Sequence, residues 1–296
     1  MKFIERAPHF SPVDAKMITK KILDIPYMTG ERHTLDIYYP SVSRETYPVI
    51  IDVYGGGLYF GAKSSYKLQN SLALTAAGYV VISPNYSLIW QAPFPTQIYE
   101  LKAVIRWVRA HAQTYQFDPT KIILSGESSG AHLAVLTAAT ASVRTMMADF
   151  GPDLTVDDRV AAVIAAYGPY QFDTFSAQFK VLGLTPKFSE TGTASSFEGQ
   201  LFGKIAPSDV THLVEKYNPA NYLTATMPPM LLLAGTADQV VPILQSQNLA
   251  VAALQKMPQS HVAWQWLKGA HHGPQDFTRT DIYDLKVQLL NKWLWH

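Results

Sequence analysis

Across 296 residues, 24 basic and 23 acidic side chains leave a formal charge of +1 at pH 7. That balance gives no electrostatic footprint for nucleic acid or for an anionic membrane surface. Apolar residues make up 48% of the chain and charged residues 16%, with no cysteine, which fits a soluble globular protein with a sizeable core and excludes disulfides, thiolate chemistry and cysteine metal sites.

The opening residues, MKFIERAPHFSPVDAK, hold no apolar stretch of signal-peptide length, and no later segment approaches a membrane span. A cytoplasmic protein is therefore expected. Residues 17–39 read as two alternating strands around Thr29-Gly30, with Leu35, Ile37 and Tyr39 on one face. An antiparallel hairpin at a sheet edge is the natural place for them. "VIIDVY" (49–54) is the first largely apolar strand and runs into Gly55-Gly56-Gly57. A helix is expected over 64–77, ending at Gly78, followed by the strand "YVVIS" (79–83). Residues 95–112 place Ile98, Leu101, Val104, Ile105 and Val108 on one helical stripe.

"KIILS" (121–125) is again a strand, and the small apolar residues of 131–141 suit a helix pressed closely onto a sheet. "VAAVIAAYG" (160–168), "MLLLA" (230–234) and, more weakly, "HVAWQWL" (261–267) supply three further strands. Helices are expected over 242–257, where Pro242 suits the first turn, and over 277–295, with Ile282, Leu285, Leu289 and Trp293 on one side. Most of the strands lack polar alternation, so both of their faces should be covered. Strands alternating with helices imply a mostly parallel central sheet with helices on both faces, in a single α/β domain over residues 1–296. Residues 169–228 break the rhythm. They contain mixed aromatics and the small-residue stretch "SETGTASSFEG", and read as a cap or lid insertion.

The junction between "KIILS" and the following helix reads Gly126-Glu127-Ser128-Ser129-Gly130. Gly-X-Ser-X-Gly between a strand and a helix is the nucleophile elbow, in which a tight turn projects the serine hydroxyl from the sheet edge. The helix N-terminus that follows favours negative charge developing there. A nucleophilic serine needs a base, and the base needs an orienting acid. On this architecture they follow in the order Ser, Asp, His, each after a later strand. Asp238 lies just beyond 230–234, and His271 and His272 lie just beyond 261–267. Taken singly, Asp238 could be a turn residue and the histidine pair a loop feature or weak metal site. Three separate loops landing at the appropriate strand ends favour a triad. The loop Tyr54-Gly55-Gly56-Gly57-Leu58 could turn backbone N–H groups inward as oxyanion donors, and no phosphate-loop spacing is present.

With these residues in view, the chain resembles the α/β-hydrolase superfamily, and more narrowly the hormone-sensitive-lipase-like and BD-FAE-type esterases. The resemblance runs over about residues 30–290 and includes "YGGGLYFG", the run from Asn85 to Ala134, "GTADQVVPILQS" and "GAHHG". It implies Ser128 as nucleophile, Asp238 as triad acid, and Gly56, Gly57 and the Ser129 N–H as the oxyanion hole. The family histidine directly precedes a glycine, which implies His272, although spacing alone does not separate it from His271. Two departures stand out. Tyr54 replaces the usual histidine before the glycines, which bears on loop geometry. Ser129 replaces the usual alanine or glycine, and the change should be tolerated if only its backbone N–H is used. His132 also matches the family pattern, with a packed helix residue as the simpler reading.

The function expected is hydrolysis of small carboxylic esters (short-chain acyl, acetyl or aryl) through an acyl-enzyme, with no metal or organic cofactor. Phe172, Phe175, Phe179 and Trp90 could line an acyl pocket or merely pack beneath the insertion. An amidase of arylformamidase type on the same scaffold and a non-catalytic binding protein are the alternatives. No nucleic-acid or membrane partner is expected, and the sequence leaves oligomeric state open.

Overall fold

Apolar runs without alternation become strands covered on both faces. The computed structural model describes residues 2–6, 10–141, 143, 146 and 150–295. Strands β1 (Lys21–Pro26), β2 (Thr34–Tyr38), β3 (Tyr47–Val53), β4 (Val80–Pro84), β5 (Phe117–Glu127), β6 (Ala162–Ala166), β7 (Met230–Gly235) and β8 (Val262–Leu267) form one sheet in the order β1-β2-β4-β3-β5-β6-β7-β8. Every residue of β3, β4 and β7 is buried. The two edge strands, β1 and β8, keep exposed positions. β1 pairs antiparallel with β2, and β2 antiparallel with β4, while all other pairings are parallel.

The helices are α1 (Gln69–Leu72), α2 (Thr96–Ala110), α3 (Ala112–Tyr115), α4 (Ser129–Ala139), α5 (Phe175–Leu182), α6 (Phe197–Leu201), α7 (Thr211–Lys216), α8 (Leu244–Lys256) and α9 (Thr280–Trp295). The sheet separates two apolar cores, one on each of its faces, and the helices cover them. The stripe expected on α2 is real: Ile98, Leu101, Val104, Ile105 and Val108 are all fully buried. Among the described residues no helix is long and apolar enough to cross a membrane.

Three expectations needed adjustment. The stretch 64–77 is not one helix but a 3-10 turn (Tyr66–Leu68), the single turn α1, and a second 3-10 segment (Ala73–Ala77). There the Thr75 hydroxyl donates to the Leu72 carbonyl, a side-chain bond that competes with regular helix pairing. β5 begins at Phe117 rather than at residue 121, because the buried Phe117 pairs in register with Tyr47 of β3. The deeply buried stripe of α9 is Ile282, Lys286 and Leu290, whereas Leu285, Leu289 and Trp293 are only partly covered. A lysine takes a core position there, within electrostatic reach of the buried Asp52 on β3.

The strand order fixes where a ligand can sit. The chain runs outward from β3 to β4 on one side, then returns and runs from β5 to β8 on the other. Loops leaving the carboxyl ends of β3 and β5 therefore diverge and open a crevice between them. The register pairs Asp52 with Ser125 and Val53 with Gly126, so both strands end at the same level. The glycine loop after β3 and Ser128 after β5 face each other across that crevice.

Candidate active site

Ser128 occupies a left-handed backbone conformation, φ 52° and ψ −127°, at the junction of β5 and α4. Such a conformation is strained for a residue with a Cβ and persists only where the surroundings hold it. Here the Ser128 N–H donates to the Ala166 carbonyl on the neighbouring strand at 2.9 Å. The framing glycines let the turn close. A Cβ on Gly130 would lie 2.0 Å from the Val53 carbonyl oxygen, and one on Gly126 would lie 2.3 Å from that of Gly130.

The turns after β7 and β8 bring the other two expected side chains to this hydroxyl. His272 Nε2 is 2.9 Å from Ser128 Oγ, and His272 Nδ1 is 2.7 Å from Asp238 Oδ2. An ionised carboxylate only accepts, so Nδ1 carries the ring proton and Nε2 accepts from the serine hydroxyl. Asp238 is 1% exposed, and its second oxygen accepts from the Val240 and Val241 N–H groups at 2.8 and 2.9 Å. Those bonds fix the carboxylate without competing for the imidazole. His271 turns elsewhere: its Nδ1 meets the Ala237 carbonyl at 3.1 Å, and its N–H donates to Asp276. Of the two histidines, His272 is the one whose ring meets both Ser128 and Asp238.

The Gly56, Gly57 and Ser129 N–H groups have no hydrogen-bond partner among the described residues. Tyr54, in place of the family histidine, is buried. It stacks on Tyr86 with ring centroids 4.3 Å apart, and its hydroxyl accepts from Arg32 Nη2 at 2.7 Å. The Tyr86 hydroxyl in turn donates to the Tyr54 carbonyl at 2.6 Å, so the start of the glycine loop is anchored by a pair of tyrosines. His132 is fully buried and faces away from this chemistry, its Nε2–H donating to the Tyr217 carbonyl at 2.9 Å.

A cavity of about 580 Å³ opens over Ser128 and His272. Its apolar wall is Phe3, Phe60, Phe188 and Phe197. Phe172, Phe175 and Phe179 pack in the core instead, and Trp90 is 62% exposed outside the cavity. Of the aromatic residues in the 169–228 connection, Phe188 and Phe197 reach the site. Spacing gave no sign of the contribution from Phe3, which lies far from the motif in sequence and meets Phe188 edge-on at 5.4 Å.

Three further residues at the site also escaped the motif reading. Glu127, inside the elbow itself, accepts from Lys67 Nζ at 3.1 Å and from the Tyr167 hydroxyl. The Tyr167 ring stands edge-on to His272, 4.9 Å between centroids. Burial and the adjacent Glu127 carboxylate hold the Tyr167 hydroxyl well above its ordinary pKa, so it remains a donor. Among the described residues no group of three His, Asp or Glu side chains is arranged to hold a metal ion. A broader groove of about 900 Å³, lined by His33, Trp107 and His111 among others, lies apart from Ser128 and carries no comparable arrangement.

Comparison with known proteins gives the same neighbourhood. The BD-FAE family model matches residues 35–253. Esterase LipQ of Mycobacterium tuberculosis is 29% identical over 90% of this chain and 60% of its own length. Esterase LipC of the same organism is 28% identical over 76% of this chain and 53% of its own. The chain thus spans little more than half the length of these curated relatives. Among solved structures, a truncated carbohydrate esterase from gut microbiota superposes with a TM-score of 0.85 at 27% identity, covering 97% of this chain and all of the other.

Proposed function

The chain belongs to the BD-FAE family of α/β-hydrolases, and from that membership we propose that it hydrolyses small carboxylic esters, with Ser128 as nucleophile, His272 as base and Asp238 as orienting acid. The observation that carries this reading is the unbroken bonded path from Ser128 Oγ through His272 to Asp238. In the first step the Ser128 oxygen attacks the ester carbonyl while its proton passes to His272 Nε2. Asp238 holds the imidazole tautomer and stabilises the charged ring that forms. The carbonyl oxygen takes up negative charge facing the Gly56, Gly57 and Ser129 N–H groups, each such donor being worth about 3–4 kcal/mol in the transition state. His272 then protonates the departing alcohol. Water attacks the acyl-enzyme with the same histidine as base, releasing the acid and restoring Ser128.

The cavity volume and its phenylalanine wall support a short acyl or aryl group attached to a small-molecule alcohol. The likeness to a carbohydrate esterase adds sugar-linked acyl esters to the substrates to be tried. Residues 169–228, which supply Phe188 and Phe197, act in this reading as a cap over the acyl site.

Replacing Ser128 by alanine should lower kcat for a short nitrophenyl ester by roughly 10⁴–10⁶-fold, and should abolish labelling by a fluorophosphonate. Near-wild-type turnover in Ser128→Ala would refute the nucleophile assignment. A wild-type protein inert to the probe would favour a binding role. Comparing kcat/KM for a short aryl ester and for N-formylkynurenine separates an esterase from an amidase on this scaffold.

A further inference from the structure

An oxyanion hole built on glycines has a mechanical problem. Gly56 and Gly57 adopt positive φ of 135° and 63°, and glycine loses more freedom than any other residue when it is held in one conformation. The N–H groups stabilise an oxyanion only if they are fixed before the charge appears. Something outside the loop must therefore hold it.

Two side chains do so, and they are the neighbours of the candidate nucleophile on either side. Glu127 Oε1 accepts from the Gly55 N–H at 3.3 Å, at the start of the loop. Ser129 Oγ accepts from the Leu58 N–H at 3.3 Å, at its end. Between those two bonded positions lie the Gly56 and Gly57 N–H groups, free of partners among the described residues. Glu127 is itself fixed, buried between Lys67 and the Tyr167 hydroxyl. Ser129 is buried at the first position of α4.

We propose that Glu127 and Ser129 are positioning residues that clamp the Gly55–Leu58 loop at both ends, so that nucleophile and oxyanion donors form one rigid unit. This inference rests on the reading of Ser128 as nucleophile and of Gly56 and Gly57 as donors. It assigns the Ser129 side chain a role beyond that of its N–H, one that alanine or glycine could not supply. Loosening either end misplaces the donors relative to an oxygen that is fully charged only in the transition state. The loss should therefore fall on kcat and leave KM nearly unchanged.

The test is steady-state kinetics on a short nitrophenyl ester, with the rate of fluorophosphonate labelling measured in parallel. Ser129→Ala is expected to lower kcat about 10-fold, to keep KM within about twofold, and to slow labelling to the same degree. Ser129→Thr, which keeps the hydroxyl, should recover most of the loss. Glu127→Ala, with its melting temperature checked, should show the same kcat-selective defect. A Ser129→Ala protein with wild-type kcat, a defect expressed in KM, or a threonine variant no better than alanine would each overturn the clamp. Retained turnover in Ser128→Ala, or an inactive wild-type protein, would instead overturn the reading on which it rests.

Discussion

His132 shows how one side chain can match a functional pattern and serve packing. It lies one turn beyond Ser128 on α4, between the rings of Phe94 and Phe172, with its single polar bond to the Tyr217 carbonyl. Burial pushes its pKa down to about 4, the carbonyl bond offsetting only part of that. The folded protein therefore refuses a proton that the unfolded chain accepts below the ordinary histidine value. The stabilisation is complete above about pH 6.5 and is lost as the pH falls from there toward 4. His132→Gln removes this term while leaving the remaining titrating groups in place. The stability advantage of wild type over this variant should shrink by about 2 kcal/mol between pH 7.5 and pH 5, measured by urea unfolding. An advantage independent of pH would mean that the ring is not held neutral by burial. At this scale the sequence was legible where a residue belongs to a strand-end pattern, as Ser128 and Asp238 do. It was not legible for Glu127, whose value depends on what Lys67, Tyr167 and Gly55 bring to it from other segments.

At the scale of elements, the contact of α4 with β3 and β5 sets the tolerance of the whole site. The helix begins directly after Ser128, and Gly130 brings it against the Val53 carbonyl with no room for a methyl group. Backbone atoms cannot move aside as a flexible side chain would. Gly130→Ala should therefore cost about 3 kcal/mol or more, or prevent folding, and a thermal melt reads the result directly. A melting temperature equal to that of wild type would show that α4 is free to shift. Apolar runs foretold the strands well, because a strand buried on both faces must be apolar throughout. Boundaries and faces were less legible where a polar group is accommodated by a distant partner. Lys286 occupies the centre of the buried stripe of α9 within the electrostatic reach of Asp52, and burial nonetheless lowers its pKa to about 8. No pattern of apolar residues on α9 could announce that.

Across the whole molecule, the aromatic wall of the cavity over Ser128 is assembled from segments with no proximity in sequence. Phe3 packs against Phe60, Phe188 and Phe197 with centroids 5.3–5.6 Å apart. Its N–H is bonded to the buried Glu190 carboxylate, and the Arg6 guanidinium lies over its ring. A Cβ on Gly57 would lie 2.6 Å from the tip of this ring, so Phe3 reaches the glycine loop itself. Phe3→Ala should enlarge the space beside the acyl carbon. The ratio of kcat/KM for octanoyl over acetyl nitrophenyl esters should then rise about 10-fold, a step of the size that a few added methylenes produce. An unchanged ratio would place the acyl chain elsewhere in the cavity.

The reversal of strand order between β3 and β5 has a consequence for durability. Ser128 and the facing glycines both hang from the middle of the sheet, two strands inward from β2 or further, while the exposed ribbon of β1 marks the far margin. Fraying at that margin can proceed without disturbing the mouth, since β4 still closes the ladder on that flank. The Ser128 turn and the glycine loop thus inherit the persistence of the most enclosed part of the fold, whereas His272, which follows the edge strand β8, is held nearer the opposite margin.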